Sequence, residues 1–157
     1  MKKHKVLFVC LGNICRSPLA EEVFRSYVRE RGEEDHFILD SAGLISYHRG
    51  ELPDVRMRKH ASLRGYTLLH RSRPVTADDF YDFDYIIGMD DANILKLKEL
   101  APGIEEVNKI RKMIDYCDSP LLDHVPDPYY GGDKGFETVI DMVESACGNL
   151  YNELINK

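Results

Sequence analysis

Val6-Leu7-Phe8-Val9-Cys10-Leu11-Gly12-Asn13-Ile14-Cys15-Arg16-Ser17-Pro18 decides how the rest of this chain is read. An apolar run ends on a cysteine, as expected of a short buried parallel strand over 5–9. Gly12 and Asn13 tolerate unusual backbone angles and make a tight loop. Ser17 suits a helix N-cap and Pro18 the first helical position. Apolar residues then recur at helical spacing (Leu19, Ala20, Val23, Phe24, Tyr27, Val28), with Gly32 as the stop. Strand, tight loop and helix N-terminus together make an anion cradle, because loop amides and the helix dipole point into it. Cys10 places a thiol at the entrance of this cradle and Arg16 a guanidinium at its exit. The residues point to a loop that binds a phosphate group, attacked by Cys10.

The pattern of strand followed by helix continues. Phe37-Ile38-Leu39 reads as a second strand running into Asp40-Ser41-Ala42-Gly43. A polar loop covers 44–53, and Asp54 caps a helix closed by Gly65. Residues 66–69 read as a short extended piece. Thr76 and Asp79 form a capping box for a short helix through Phe80. Residues 84–89 are a third strand, and Asp90 caps a helix ended by Pro102-Gly103. A fourth strand is expected in the second half of 107–116. The last helix carries one apolar stripe, Phe136, Val139, Ile140, Val143, Cys147, Leu150 and Leu154, interrupted by Gly148. The alternation predicts an α/β fold: a single-domain four-stranded parallel sheet over 1–157 with helices on both faces. Ligands bind at the C-terminal edge of such sheets, where Cys10, Ser41 and Met89-Asp90 would lie.

The 157 residues are enough for one domain with a real core. A net charge of -6 argues against general nucleic-acid binding and leaves attraction of an anion to local charge. No apolar run approaches the ~20 residues of a membrane span. The basic N-terminus is followed by too few apolar residues for a signal-peptide core, so a cytoplasmic protein is expected. Four scattered cysteines do not make a disulfide framework.

Phosphoryl transfer to a thiol needs a thiolate, a clamp for three non-bridging oxygens and an acid for the leaving group. A helix N-terminus and a nearby arginine favour the thiolate. Arg16 offers the bidentate fork that lysine lacks. The Ser17 hydroxyl could hydrogen-bond the sulfur, in competition with its capping role. The acidic residues Asp78, Asp79, Asp82, Asp84, Asp90 and Asp91 read as caps and a solvated face rather than a metal site. Cys147 reads as core, and Cys117 has no evident partner.

Cys10 to Pro18, Cys-Leu-Gly-Asn-Ile-Cys-Arg-Ser-Pro, resembles the signature loop of the low-molecular-weight protein tyrosine phosphatases. The resemblance extends to Asp40-Ser41-Ala42-Gly43, to His48-x-Gly50 with Asp54 and Arg56, to His70 followed by a basic residue, and to Asp127-Pro128-Tyr129-Tyr130. It implies a four-stranded parallel sheet and a cysteinyl-phosphate intermediate without metal or organic cofactor. It makes Asp127 the general acid, stiffened by Pro126 and Pro128. It places Leu11, Gly12, Asn13, Ile14, Cys15 and Ser17 around the phosphate, and gives Asn13, Ser17, Ser41 and His70 a supporting hydrogen-bond network. Tyr129, Tyr130 and, at a less fixed loop position, Tyr47 with His48 match aromatic walls for a phenyl ring. It allows a reversible Cys10–Cys15 disulfide. The expected partner is a phosphotyrosine-containing protein or peptide, with phosphate or vanadate as inhibitory anions, no nucleic acid, no membrane, and a monomer or weak dimer.

Four other functions are weighed against this. An arsenate reductase on the same fold needs two further reactive cysteines, and Cys117 and Cys147 are far apart in sequence. A protein-arginine phosphatase tends to carry threonine where this chain has Ile14, and less often tyrosine where it has Tyr129. A phosphotyrosine-binding or redox-sensing module would not need every catalytic position intact. A nucleotide-binding module lacks its Gly-Lys-Ser/Thr loop.

Overall fold

The computed structural model describes residues 2–118, 123–128 and 132–156. Four strands form one sheet: β1 (His4–Cys10), β2 (Phe37–Gly43), β3 (Tyr85–Gly88) and β4 (Ile110–Lys112). Their order is β2-β1-β3-β4, and every pairing is parallel. The helices are α1 (Arg16–Glu30), α2 (Val55–Leu63), α3 (Ala77–Asp82), α4 (Asp91–Leu100), α5 (Ile104–Val107) and α6 (Asp133–Ile155).

Side chains alternate across β1, and the alternation sorts the core into two layers. Val6, Phe8 and Cys10 face a layer shared with α1, α2 and α6. Leu7 and Val9 face a smaller layer with Phe80 of α3 and Leu97 of α4. Helices therefore cover both faces, which is why these strands are apolar throughout rather than alternating. The register pairs Cys10 with Gly43 and Val9 with Gly88, so three strand ends meet at one edge.

Local chemistry accounts for most boundaries. Asp54 caps α2, its carboxylate accepting from the Arg56 and Met57 amides, and Gly65 follows with φ +89°. The Asp90 carboxylate accepts from the Asn93 amide and opens α4. The Thr76 amide donates to the Asp79 side chain at the start of α3. The apolar stripe of α6 is buried throughout.

Three expectations are corrected. Ser17 is not an N-cap: α1 begins at Arg16, Cys15 holds the cap position with no side-chain bond, and Ser17 lies inside the first turn. The fourth strand lies earlier than its expected half, because 113–116 turns into a 3-10 helix whose Met113, Ile114 and Tyr116 are buried. The second strand continues through Asp40, Ser41 and Gly43, because those polar residues are used at the sheet edge rather than exposed.

Phe136 shows how α6 is held. It is fully buried, its ring stacks on His60 at 5.5 Å, and the Arg56 guanidinium lies 4.9 Å over it. Phe136→Ala is expected to cost about 3–5 kcal/mol, as buried aromatic truncations do. The check is the urea midpoint, which should fall at an unchanged m-value.

Candidate active site

Cys10 closes β1 and Arg16 opens α1; the loop between them lines a cavity of about 370 Å³. Leu11, Gly12, Ile14, Cys15, Ile45, Tyr47, His48 and Asp127 complete its lining. The loop carbonyls are bound on the outside. The Cys10 carbonyl accepts from the Leu44 amide, that of Leu11 from Leu44 and Ile45, that of Ile14 from Asp54 and that of Cys15 from Leu19. The Gly12 carbonyl accepts from the Ser72 hydroxyl at 3.1 Å. No peptide is cis. In a trans peptide the next N–H points opposite to the carbonyl, so these bonds turn the following amides toward the inside of the loop. The inner face is thus a ring of donors, suited to the oxygens of a tetrahedral oxyanion.

Asn13 holds this shape. It is fully buried and has φ 56°, the positive value its loop position requires. Its side chain uses all its bonding capacity. Nδ2 donates to Ser17 Oγ (2.7 Å) and Ser41 Oγ (3.1 Å). Oδ1 accepts from His70 Nε2 (2.9 Å) and the Arg73 amide (3.1 Å). Ser17 accepts from Asn13 and its Oγ lies 3.0 Å from Cys10 Sγ, so its proton is available to a Cys10 thiolate, while a Cys10 thiol can donate to the oxygen's second lone pair. A hydroxyl donating to sulfur stabilises a thiolate as nucleophile and as leaving group. The competition between capping and sulfur contact is thereby resolved in favour of sulfur. Ser41 donates onward to Glu21 Oε1 at 2.7 Å.

Arg16 is buried and aimed from two sides. Its Nη1 donates to Asp90 Oδ2 (2.7 Å) and to the Val125 carbonyl (3.0 Å). Its Nη2 lies 3.6 Å from Asp127 Oδ2. Burial works against the charge, but Cys10, Asp90 and Asp127 outweigh it and hold the guanidinium pKa above the ordinary arginine value. Burial likewise works against the Asp90 carboxylate, yet the bonds from Arg16 and Asn93 hold its pKa below the usual range. Asp127 stands on the open side of the cleft with 39% of its side chain exposed, where it can meet a leaving group and then water.

The structure brings Cys10, Arg16, Asp127, Asn13, Ser17, Ser41 and His70 together at one edge of the sheet. Tyr47 borders the cavity, 82% exposed, with His48 against its ring edge at 4.8 Å. Tyr129 and Tyr130 lie outside the described residues. Sequence reading took Asp90 only as a cap and missed it as the anchor of Arg16; the same carboxylate does both. It also missed Glu21, Asp40, Ser72 and Arg73. His70 Nδ1 faces Glu21 and Asp40 oxygens at 3.5 and 3.4 Å, while Arg25 and Arg73 engage those same carboxylates. Gly43 was missed as well: a β-carbon there would come within 3.0 Å of Asn13 Cβ and 3.1 Å of the Leu11 carbonyl oxygen, so only glycine lets the loop rest on β2. The acidic residues behave as structure. Asp79 pairs with Arg73, Asp91 with Lys112, and Asp84 accepts from the Lys5 amide.

The Asp90 pair gives a pH prediction. A carboxyl whose folded pKa is depressed adds stability above its unfolded value, about 3.9 for aspartate, and loses it as pH falls through the folded value. Wild-type stability should therefore fall more steeply below about pH 4 than that of Asp90→Asn, read as urea midpoint against pH. With Arg16 less firmly aimed, the variant should also lose about tenfold in kcat/KM for an aryl phosphate near neutrality, or about 1.4 kcal/mol.

The comparisons with known proteins agree with this geometry. The family model described as low molecular weight phosphotyrosine protein phosphatase matches residues 5–157. A Gallus gallus protein named low molecular weight phosphotyrosine protein phosphatase is 41% identical, over 90% of each chain. The crystal structure of a protein tyrosine phosphatase from Entamoeba histolytica, with Hepes in the active site, superposes with a TM-score of 0.95 at 48% identity, covering 98% of both chains. A Drosophila arginine phosphatase structure matches with a TM-score of 0.88 at 35% identity, covering 98% of this chain and 97% of its own. With the family match spanning nearly its whole length, the chain belongs to the low molecular weight phosphotyrosine protein phosphatases.

Proposed function

We propose that this chain hydrolyses phosphotyrosine in proteins or peptides through a cysteinyl-phosphate intermediate. Cys10 Sγ attacks phosphorus in line with the phenolic oxygen; the S–P bond forms as the P–O bond breaks. Asp127 gives its proton to the departing phenolate, whose pKa is near ~10 and which leaves poorly unprotonated. Arg16 and the inward loop amides take the charge on the three equatorial oxygens. Asp127, now a carboxylate, draws a proton from the water that cleaves the S–P bond, and Ser17 receives the returning thiolate. The observation that carries this reading is the Asn13–Ser17–Cys10 contact chain beside an Arg16 held by Asp90. Leu11, Ile14 and Tyr47 line the approach for a ring, and the same reading gives Tyr129 and Tyr130 as further walls.

Two features weigh against the arsenate route. Cys117 donates to the Met142 carbonyl and is pushed up to about 11 by burial, Asp118 and Asp115. Cys147 is buried and pushed up to about 12 by burial, Glu144 and Cys117. Neither is poised as a relay thiolate. A Cys10–Cys15 disulfide under oxidant remains part of the proposal, since both side chains line the cavity. Burial, reinforced by Asp54, Cys10 and Asp127, pushes the Cys15 thiol up, so its ring-closing step should be slow at neutral pH.

The test is a panel of phosphotyrosine, phosphoserine and phosphoarginine peptides. Phosphotyrosine turnover at least a hundredfold above the others supports the reading. Preferential release of phosphate from phosphoarginine would replace it with the arginine phosphatase alternative.

A further inference from the structure

Among the described residues, the bonds that hold the cradle carbonyls outward have one conspicuous asymmetry. Those of Cys10, Leu11, Ile14 and Cys15 end on backbone amides, which any sequence supplies. That of Gly12 ends on a side chain, Ser72 Oγ. Ser72 is 3% exposed. Its own backbone is fixed on both sides: its amide donates to the Glu51 carbonyl and its carbonyl accepts from the Gly50 amide, both at 2.8 Å. The neighbouring amide, Arg73, bonds Asn13 Oδ1, and Arg71 Nη1 donates to the Gly50 carbonyl. The hydroxyl is therefore presented to Gly12 from a rigid strap.

We infer that Ser72 is a positioning residue for the reaction: by holding the Gly12 carbonyl outward it keeps the Asn13 amide aimed at the substrate phosphate. The physical link is the peptide plane between Gly12 and Asn13. Its carbonyl and N–H point in opposite directions, and rotation of that plane costs little when one residue is glycine. Glycine also suits position 12 sterically, since a β-carbon would lie 3.2 Å from the His48 ring. The plane is thus free to turn unless something outside holds it. Without the hydroxyl, the part-buried carbonyl loses this partner and the plane can flip toward another donor, which takes an N–H away from the oxyanion. Ser72 touches neither substrate nor Cys10; it acts through Gly12.

The inference rests on the cradle being a phosphate site, and the experiment separates the two. Inorganic phosphate is titrated into wild type, Ser72→Ala and Ser72→Thr by calorimetry. kcat and KM for an aryl phosphate and the melting temperature are measured on the same samples. Failure of wild type to bind phosphate would overturn the site itself. If wild type binds, Ser72→Ala is expected to raise the phosphate Kd at least fivefold, with KM rising in parallel. Its melting temperature should fall only a few degrees, and Ser72→Thr should recover most of the affinity. A merely structural serine would lower the melting temperature and leave the Kd alone. A Ser72→Ala Kd within twofold of wild type overturns the proposal, as does a folded Ser72→Thr as impaired as Ser72→Ala. Should Ser72→Ala not fold, Ser72→Cys, a weak donor of similar size, replaces it under the same two criteria.

Discussion

Cys10→Ser will abolish turnover of an aryl phosphate and leave phosphate binding within a few-fold of wild type. The geometry separates the two functions. On the proposed reading binding comes from the inward amides and from Arg16, which Asp90 and the Val125 carbonyl anchor independently of the sulfur. On the same reading chemistry comes from Cys10 Sγ, 3.0 Å from the Ser17 hydroxyl that can stabilise its thiolate. A serine hydroxyl at the same position stays protonated near neutrality, and the neighbouring Ser17 hydroxyl is no base that could activate it. The expected loss in kcat is at least about 10⁴-fold, or roughly 5.5 kcal/mol of transition-state stabilisation. Calorimetry with phosphate and an aryl phosphate assay on the same preparation decide it. Turnover above about a thousandth of wild type would remove Cys10 from the nucleophile role. Loss of phosphate binding with turnover would mean instead that the thiol holds the loop together.

Asp127→Ala should produce a loss that depends on the leaving group. General acid catalysis is worth about 10²–10⁴-fold where the departing oxygen is strongly basic. Phenyl phosphate, leaving as a phenolate, should therefore slow by that factor, while an activated nitrophenyl ester should slow by less than about tenfold. The position of Asp127 also predicts what will not happen. Its carboxylate lies 3.6 Å from Arg16 Nη2, so removing it takes a negative charge away from the cradle. Phosphate affinity should be unchanged or improved in Asp127→Ala. Equal slowing of both esters, or weaker phosphate binding, would mean that Asp127 orients Arg16 rather than transferring a proton. The two variants fail differently: one loses all chemistry, the other only the part that depends on protonating a poor leaving group.

The nearby carboxylates illustrate why one aspartate differs from the others. Asp90, Asp79 and Asp40 are each bonded to an arginine and serve to aim or anchor it. Asp127 also lies 3.6 Å from Arg16 Nη2, but among the described residues it is the carboxylate that lines the cavity holding Cys10. Residue type alone does not separate these roles; direction and exposure do.

Much of the architecture was legible from local signals. The strand before Cys10, the glycine-bearing loop, helix α1 and the long stripe of α6 are set by apolar period, turn residues and stops acting within a few residues. Resemblance then supplied Asp127 and the bracing roles of Asn13, Ser41 and His70, which composition and spacing could not. The errors fell where local preference lost to tertiary demand. Ser17 has every property of a cap, yet its hydroxyl is held between Asn13 and Cys10. The apolar stretch after Val107 was split because Met113, Ile114 and Tyr116 are buried outside the sheet.

What the sequence by itself determined is the cradle: a thiol, a tight loop and an arginine at a helix start, all within seven consecutive residues. What only the tertiary structure decided is how that cradle is aimed. Arg16 is anchored by Asp90 and Val125, 74 and 109 residues away, and Asn13 Oδ1 by His70 and Arg73, 57 and 60 residues away. Gly12 is held by Ser72 at a separation of 60. These bonds exist because parallel strands bring their C-terminal ends to one edge. A hydroxyl or carboxylate has no local preference that reveals which distant group it will meet there.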